Sequence, residues 1–246
     1  MTTTPAKTKR AAKPRRTGPS VLGYGDTGTS LLFVFPLFLA YEIGVAFAPA
    51  GNGVDFVTRW MYAAVGRDRE SYLLLNLGLA AVFVVFILYL RKQHNLQLRR
   101  FPSMVILSAI YALTLGSFIL FVMDKLLGFD GVMAMDSGTA LIVSLGAGVH
   151  EELVFRLGMM AGSAYALRAL GVRHNWAVFI ALVASSLLFS AAHHIGPAGD
   201  EFSTVVFTYR TLAGAMFGII FYFQSLSHAV YTHFLYDVYV LLLKSS

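Results

Sequence analysis

Seven runs of apolar residues follow one another along the chain, at about 29–48, 72–90, 103–123, 138–165, 176–195, 204–223 and 226–243. Each is long enough for an α-helix of roughly 20 residues to cross a hydrocarbon core of about 30 Å. Lipid offers no water to backbone N–H and C=O groups, so such runs must satisfy their own hydrogen bonds as helices. The composition agrees, with 57% hydrophobic side chains against 13% charged ones, where a soluble domain carries about 25% charged residues. A soluble globular domain is excluded. The expectation is an all-α, polytopic integral membrane bundle of about seven transmembrane helices. With no cysteine in the sequence, disulfides, thiolate metal sites and cysteine nucleophiles are removed together.

The formal charge of +6 belongs to one end of the chain, where Lys7, Lys9, Arg10, Lys13, Arg15 and Arg16 precede any acid. Residues 1–25 read first as a disordered basic cytoplasmic tail and only second as a contact for lipid or nucleic acid; no nucleic-acid partner is expected. With that tail inside, Arg91, Lys92, Arg99, Arg100, Arg168 and Arg173 fall on the same side, twelve basic residues in all. Arg59, Arg67, Arg69, Lys125 and Lys244 make five on the other. The asymmetry favours a cytoplasmic N-terminus, with a bacterial cytoplasmic (inner) membrane as the expected setting. Ala46-Phe47-Ala48 resembles a signal-peptide cleavage site, but Pro49 after it and the length of the run favour a retained first span. Residues 26–246 are then one transmembrane domain, with its motif core at 138–240 and without the internal repeat of many transporters. Gly214 and Gly218 form a GxxxG pair that reads as close helix packing inside the bundle.

Ionisable groups within spans cost about 2.5–3.5 kcal/mol each on insertion scales, so they point to function and to partners. The fourth span holds His150, Glu151, Glu152 and Arg156. Glu152 and Arg156 are four apart and share a face, whereas Glu151 is rotated about 100° away. The fifth span ends in Phe189, His193 and His194, and the seventh carries His233 and Asp237, again four apart. A glutamate able to take a proton from water, with two histidines and a carboxylate from other helices, has the composition of a hydrolytic site. A donor for a tetrahedral oxyanion would come from His193, His233 or a metal. The soluble zincin motif is missing, because Val154 stands where His-Glu-x-x-His needs its second histidine. Any divalent metal, Zn2+ for example, must therefore be assembled across helices, with His193 and His233 joined by Asp237 or Glu151. No organic cofactor is expected.

Glu-Glu-x-x-x-Arg at 151–156, Phe-x-x-x-His at 189–193 and His-x-x-x-Asp at 233–237, in this order on late spans, resemble the signature of the CAAX-protease and bacteriocin-processing family of intramembrane proteases. Tyr41-Glu42 also resembles that family's early helix. The resemblance implies that Glu151 is the general base, that Glu152 and Arg156 hold its helix, and that His193 and His233 bind the water, the oxyanion or a metal. Asp237 stands where many members carry Asn, which departs from the pattern in detail. The implied partners are the lipid bilayer and a membrane-anchored protein or peptide substrate, cleaved near its membrane-proximal or C-terminal tail. Tyr41-Glu42 and the stretch 210–214 resemble the myxosortase, or C-terminal sorting, type. Two other readings stand beside the protease: a non-catalytic member of the fold acting as an immunity or scaffold protein, and an ion-coupled transporter using the cluster as a relay.

Plainer roles are open for the remaining polar residues. His150 and His194 read as hydrogen-bonded neighbours of the motifs, and His228 as interfacial. Glu42 is either a partner for a buried Arg or His or an interior acid. Arg210 either reaches for the interface or binds a substrate carboxylate. One conflict of depth remains: Glu151 lies about 20 Å from the outer end of its span at 1.5 Å per residue, yet His193 is near the apparent end of its own. The conflict disappears if the fifth span ends inside the membrane near Gly196-Pro197 and residues 196–202 line a water-filled cavity.

Overall fold

The computed structural model describes residues 26–47, 55–93, 96–127, 137–195 and 199–243, and the segment read as a tail, residues 1–25, lies outside them. Every regular element among the described residues is helical: α1 (Thr27–Phe47), α2 (Phe56–Ala64), α3 (Arg69–Gln93), a 3-10 turn (Leu98–Arg100) and α4 (Phe101–Leu127). Then come α5 (Ser137–Gly146), two π-helical stretches (Ala147–Glu151 and Leu153–Ala161), α6 (Gly162–Ala169), α7 (His174–Ala192), α8 (Thr204–Phe223) and α9 (Leu226–Leu243).

Five helical segments are long and apolar enough to cross a membrane: Thr27–Phe47, Arg69–Tyr89, Leu98–Ile119, His174–Ala192 and Thr204–Phe223. The chain is a polytopic helical membrane protein. The other two apolar runs of the sequence, 138–165 and 226–243, are helical as well, and they differ by carrying the polar residues of the centre. α9 is the inner helix, packed against α1, α4, α5, α8 and both π-helical stretches. Polar side chains survive there because protein, not lipid, surrounds them. α3, by contrast, turns Leu74, Leu77, Val82, Val85 and Leu88 outward, as a helix at the edge of a bundle in lipid does.

Two local features fix how the site-bearing helices meet. Gly148 lets the π-helical turn close on α9: a Cβ there would stand 2.9 Å from Phe234 Cβ and backbone N and 3.0 Å from the Val230 carbonyl oxygen. Gly171, at φ +87°, ends α6. Val172 N–H donates to the Leu167 carbonyl and Gly171 N–H to that of Arg168, each at 3.0 Å, which closes a Schellman turn and sends α7 back along α6. The GxxxG pair does pack within the bundle, Gly214 against Phe189 and Ser186 and Gly218 against Leu182, all on α7.

α2 has no counterpart among the seven apolar runs of the sequence. At nine residues it is too short for hydropathy to detect. Its start is set by Asp55, whose side chain accepts from Thr58 N–H at 2.9 Å, a standard N-cap.

Candidate active site

The first motif sits where the helix loosens. Residues on both sides of Glu152 follow π-helical geometry, in which i→i+5 bonding replaces i→i+4 and which is often found at functional sites. Glu151 and Glu152 leave this segment with different partners. Glu152 pairs with Arg156, whose Nε lies 3.0 Å from Glu152 Oε2, and neither side chain is exposed. Glu151 reaches toward two histidines: Oε1 is 3.6 Å from His193 Nε2 and Oε2 is 3.9 Å from His233 Nε2.

Each ring is held from behind. His193 Nδ1 lies 2.8 Å from the Phe189 carbonyl oxygen, so that nitrogen donates and Nε2 is left facing Glu151. His233 Nδ1 lies 2.9 Å from Glu152 Oε1, which leaves its Nε2 facing Glu151 and, at 3.6 Å, Asp237 Oδ2. Phe217 stacks on the His233 ring, with centroids 4.3 Å apart and planes 17° apart. Phe189 explains the aromatic position of its motif twice over. Its carbonyl takes the His193 proton, and its ring lies 4.9 Å from the Arg156 guanidinium carbon, a cation–π contact that suits a buried guanidinium.

All seven defined residues of the three motifs therefore meet in one cluster. The side chains of Glu151 and His233 are each 5% exposed, against 26% for His193 and 20% for Asp237. The cluster opens on the His193–Asp237 side. The conflict of depth dissolves because α7 stops at Ala192 and the chain doubles back at once, with Asp200 N–H donating to the His193 carbonyl at 2.9 Å. Of the segment expected to line a cavity, residues 196–198 lie outside the described residues.

The secondary polar residues sort as follows. Arg210 pairs with Asp200 at 2.5 Å. His194 Nδ1 faces the Asp200 carbonyl at 3.1 Å, and His174 Nε2 meets the Tyr222 hydroxyl at 3.0 Å. His228 is half-buried against Ser225 Oγ at 2.7 Å, so it is a packed residue near the start of α9. Glu42 is the partner of a buried histidine: its Oε1 is 3.7 Å from His150 Nε2. Asp55 joins them, with Oδ1 3.5 Å from the same nitrogen.

The metal expectation for His193 and His233 meets a different geometry. Among the described residues, the group of three His, Asp or Glu side chains whose ligand atoms all lie within 4.8 Å of one another is Glu42, Asp55 and His150; this buried group could bind a metal. Asp55 was not a candidate in the sequence, where it counts only as a charge between spans. Its legible signal is the cap pattern Asp-x-x-Thr, which marks a helix start and not a buried acid.

Residues 135–239 match the family model described as type II CAAX prenyl endopeptidase, Rce1-like. No curated protein and no solved structure matches the chain. The matched stretch runs from the residues before α5 into α9 and contains Glu151, Glu152, Arg156, His193, His233 and Asp237. Over residues 135–239, somewhat less than half of its length, the chain is thus similar to the Rce1-like type II CAAX endopeptidases, a family of proteases.

Proposed function

We propose that this protein is an intramembrane endopeptidase that cuts a membrane-anchored protein near its membrane-proximal or C-terminal tail, with Glu151 as the base that activates water. The observation that carries this reading is the Glu151 carboxylate flanked by two imidazole nitrogens from two other helices, at 3.6 and 3.9 Å. A water resting on that carboxylate is within hydrogen-bond reach of an imidazole nitrogen as well. Glu151 takes its proton as the oxygen attacks the scissile carbonyl. The proton then passes to the leaving amine, and His193 or His233, when protonated, donates to the tetrahedral oxyanion.

Glu152 and Arg156 act behind this front. Glu152 orients the His233 ring through Nδ1 and is itself held by Arg156. Asp237, on the open side, accepts from the water or from His233 and borders the path of the substrate. A divalent cation on His193, His233 and Glu151 is the alternative for the same atoms, and it predicts metal bound in proportion to these residues. The myxosortase-like specialisation for C-terminal sorting tails rests on Tyr41-Glu42 and the stretch 210–214. A cytoplasmic N-terminus rests on the basic residues of the sequence, and a bacterial inner membrane on the family resemblance alone.

Reconstitution in proteoliposomes with a membrane-anchored reporter tests the reading. We expect a cleavage product from wild type and none from Glu151→Gln. Proton-driven flux without a product would instead support the relay reading, and binding of the reporter without a product the scaffold reading.

A further inference from the structure

We infer that Glu42, Asp55 and His150 form a divalent-cation site of one nitrogen and two oxygen donors, separate from the Glu151 cluster and independent of the protease reading. The donors come from three elements far apart in sequence: α1, the cap of α2 and the π-helical stretch Ala147–Glu151. All three residues are buried, at 0%, 2% and 3% exposure. Their ligand atoms lie within 4.8 Å of one another, with His150 Nε2 at 3.7 Å from Glu42 and 3.5 Å from Asp55. Metal–ligand bonds of about 2.0–2.2 Å in a tetrahedron put neighbouring donors roughly 3.3–3.6 Å apart. The two edges from His150 are close to that spacing and the third lies within 4.8 Å, and three protein ligands leave a fourth position open.

The buried histidine supplies the second, independent sign. His150 Nδ1 faces the Gly146 carbonyl oxygen at 3.3 Å, so its other nitrogen is aimed at the two acids. That Nε2 is buried and makes no hydrogen bond among the described residues. A backbone carbonyl behind a ring whose far nitrogen points at carboxylates is the usual support of a ligating histidine. The acids are supported in the same way. Tyr41 donates to Asp55 Oδ2 at 2.5 Å, Thr58 Oγ1 to Glu42 Oε1 at 2.7 Å, and the Tyr72 hydroxyl to Glu42 Oε2. Arg59 donates to the Asp55 backbone carbonyl at 3.0 Å. Two carboxylates and an imidazole nitrogen so close together and out of water favour a positive charge among them, and the donor set suits zinc or a cation like it.

Such an ion ties α1 and α2 to the residue preceding Glu151. It acts as a structural clamp on the segment that carries the base, not as a reagent.

The test is metal content, which does not depend on cleavage. The full chain is purified in detergent, loaded with Zn2+ alone and desalted, and zinc per chain is measured by mass spectrometry with affinity from chelator competition. We expect about one zinc per chain in wild type and a rise in Tm on loading. Glu151→Gln and His193→Ala should keep the ion, and His150→Ala should lose it. Tyr72→Phe, which keeps all three ligands, serves if His150→Ala fails to fold; it should weaken affinity about 10–100-fold. The proposal is overturned if wild type holds no zinc and shows no change in Tm. It is equally overturned if zinc leaves with His193→Ala and stays with Tyr72→Phe at full affinity, which would assign the ion to the Glu151 cluster.

Discussion

Glu152 and His233 stand 81 positions apart in sequence and 2.9 Å apart in the fold, carboxylate oxygen to Nδ1. The same carboxylate takes Arg156 on its other oxygen. One acid thereby joins two of the three motifs and leaves its neighbour Glu151 to face the histidines. The adjacent glutamates have separate tasks because the helix that carries them sends one to Arg156 and the other into the cluster.

Breaking the buried pair should cost stability and activity by different routes. Arg156→Met leaves Glu152 buried without its cation, a loss of about 3–5 kcal/mol. Adding Glu152→Gln removes the stranded charge and should restore part of the thermal stability measured in detergent. Cleavage should stay low in the double variant, since His233 has lost the carboxylate that orients it. Full recovery of activity would show that Glu152 does not orient the ring.

Asp237 lies 3.6 Å from His233 Nε2, where an amide oxygen can accept as a carboxylate does. We expect Asp237→Asn to keep kcat/KM within about tenfold, and Asp237→Ala to lose on the order of 100-fold, the scale of a proton-handling contact. Equal activities of the Ala and Asn variants would remove Asp237 from the site.

Gly148 tests the close approach of the π-helical turn to α9. The atoms a Cβ would meet include Phe234 N and Val230 O, and backbone yields little. Gly148→Ala should cost roughly 1–3 kcal/mol and lower cleavage by moving Glu151 relative to His233. Gly162, further along the same helix, has nothing within 4 Å of its Cβ position. Gly162→Ala should therefore be neutral or slightly stabilising. Similar losses at both positions would argue against the contact.

Much of this arrangement is written in the sequence, and its gaps have physical causes. The seven apolar runs became helices nearly end to end, because lipid leaves such runs no other way to pair their backbone. The pairing of Glu152 with Arg156 and of His233 with Asp237 follows from i, i+4 spacing alone. What the spacing could not give is the π-helical stretch from Ala147, since no residue type encodes it, or the contact of Glu152 with His233, which only tertiary packing creates. Asp55 was missed for a related reason. A capping aspartate at the start of a short helix looks the same whether solvent or Tyr41 and His150 surround it.

The central claim is that Glu151 activates water for peptide-bond cleavage. Its most direct test is co-expression with candidate membrane-anchored substrates from the same genome, with mass spectrometry of substrate C-termini for wild type and Glu151→Ala at equal abundance in the membrane. We expect a new C-terminus that is present with wild type and missing with the variant. The same new terminus in both, or unprocessed termini throughout, would contradict the claim.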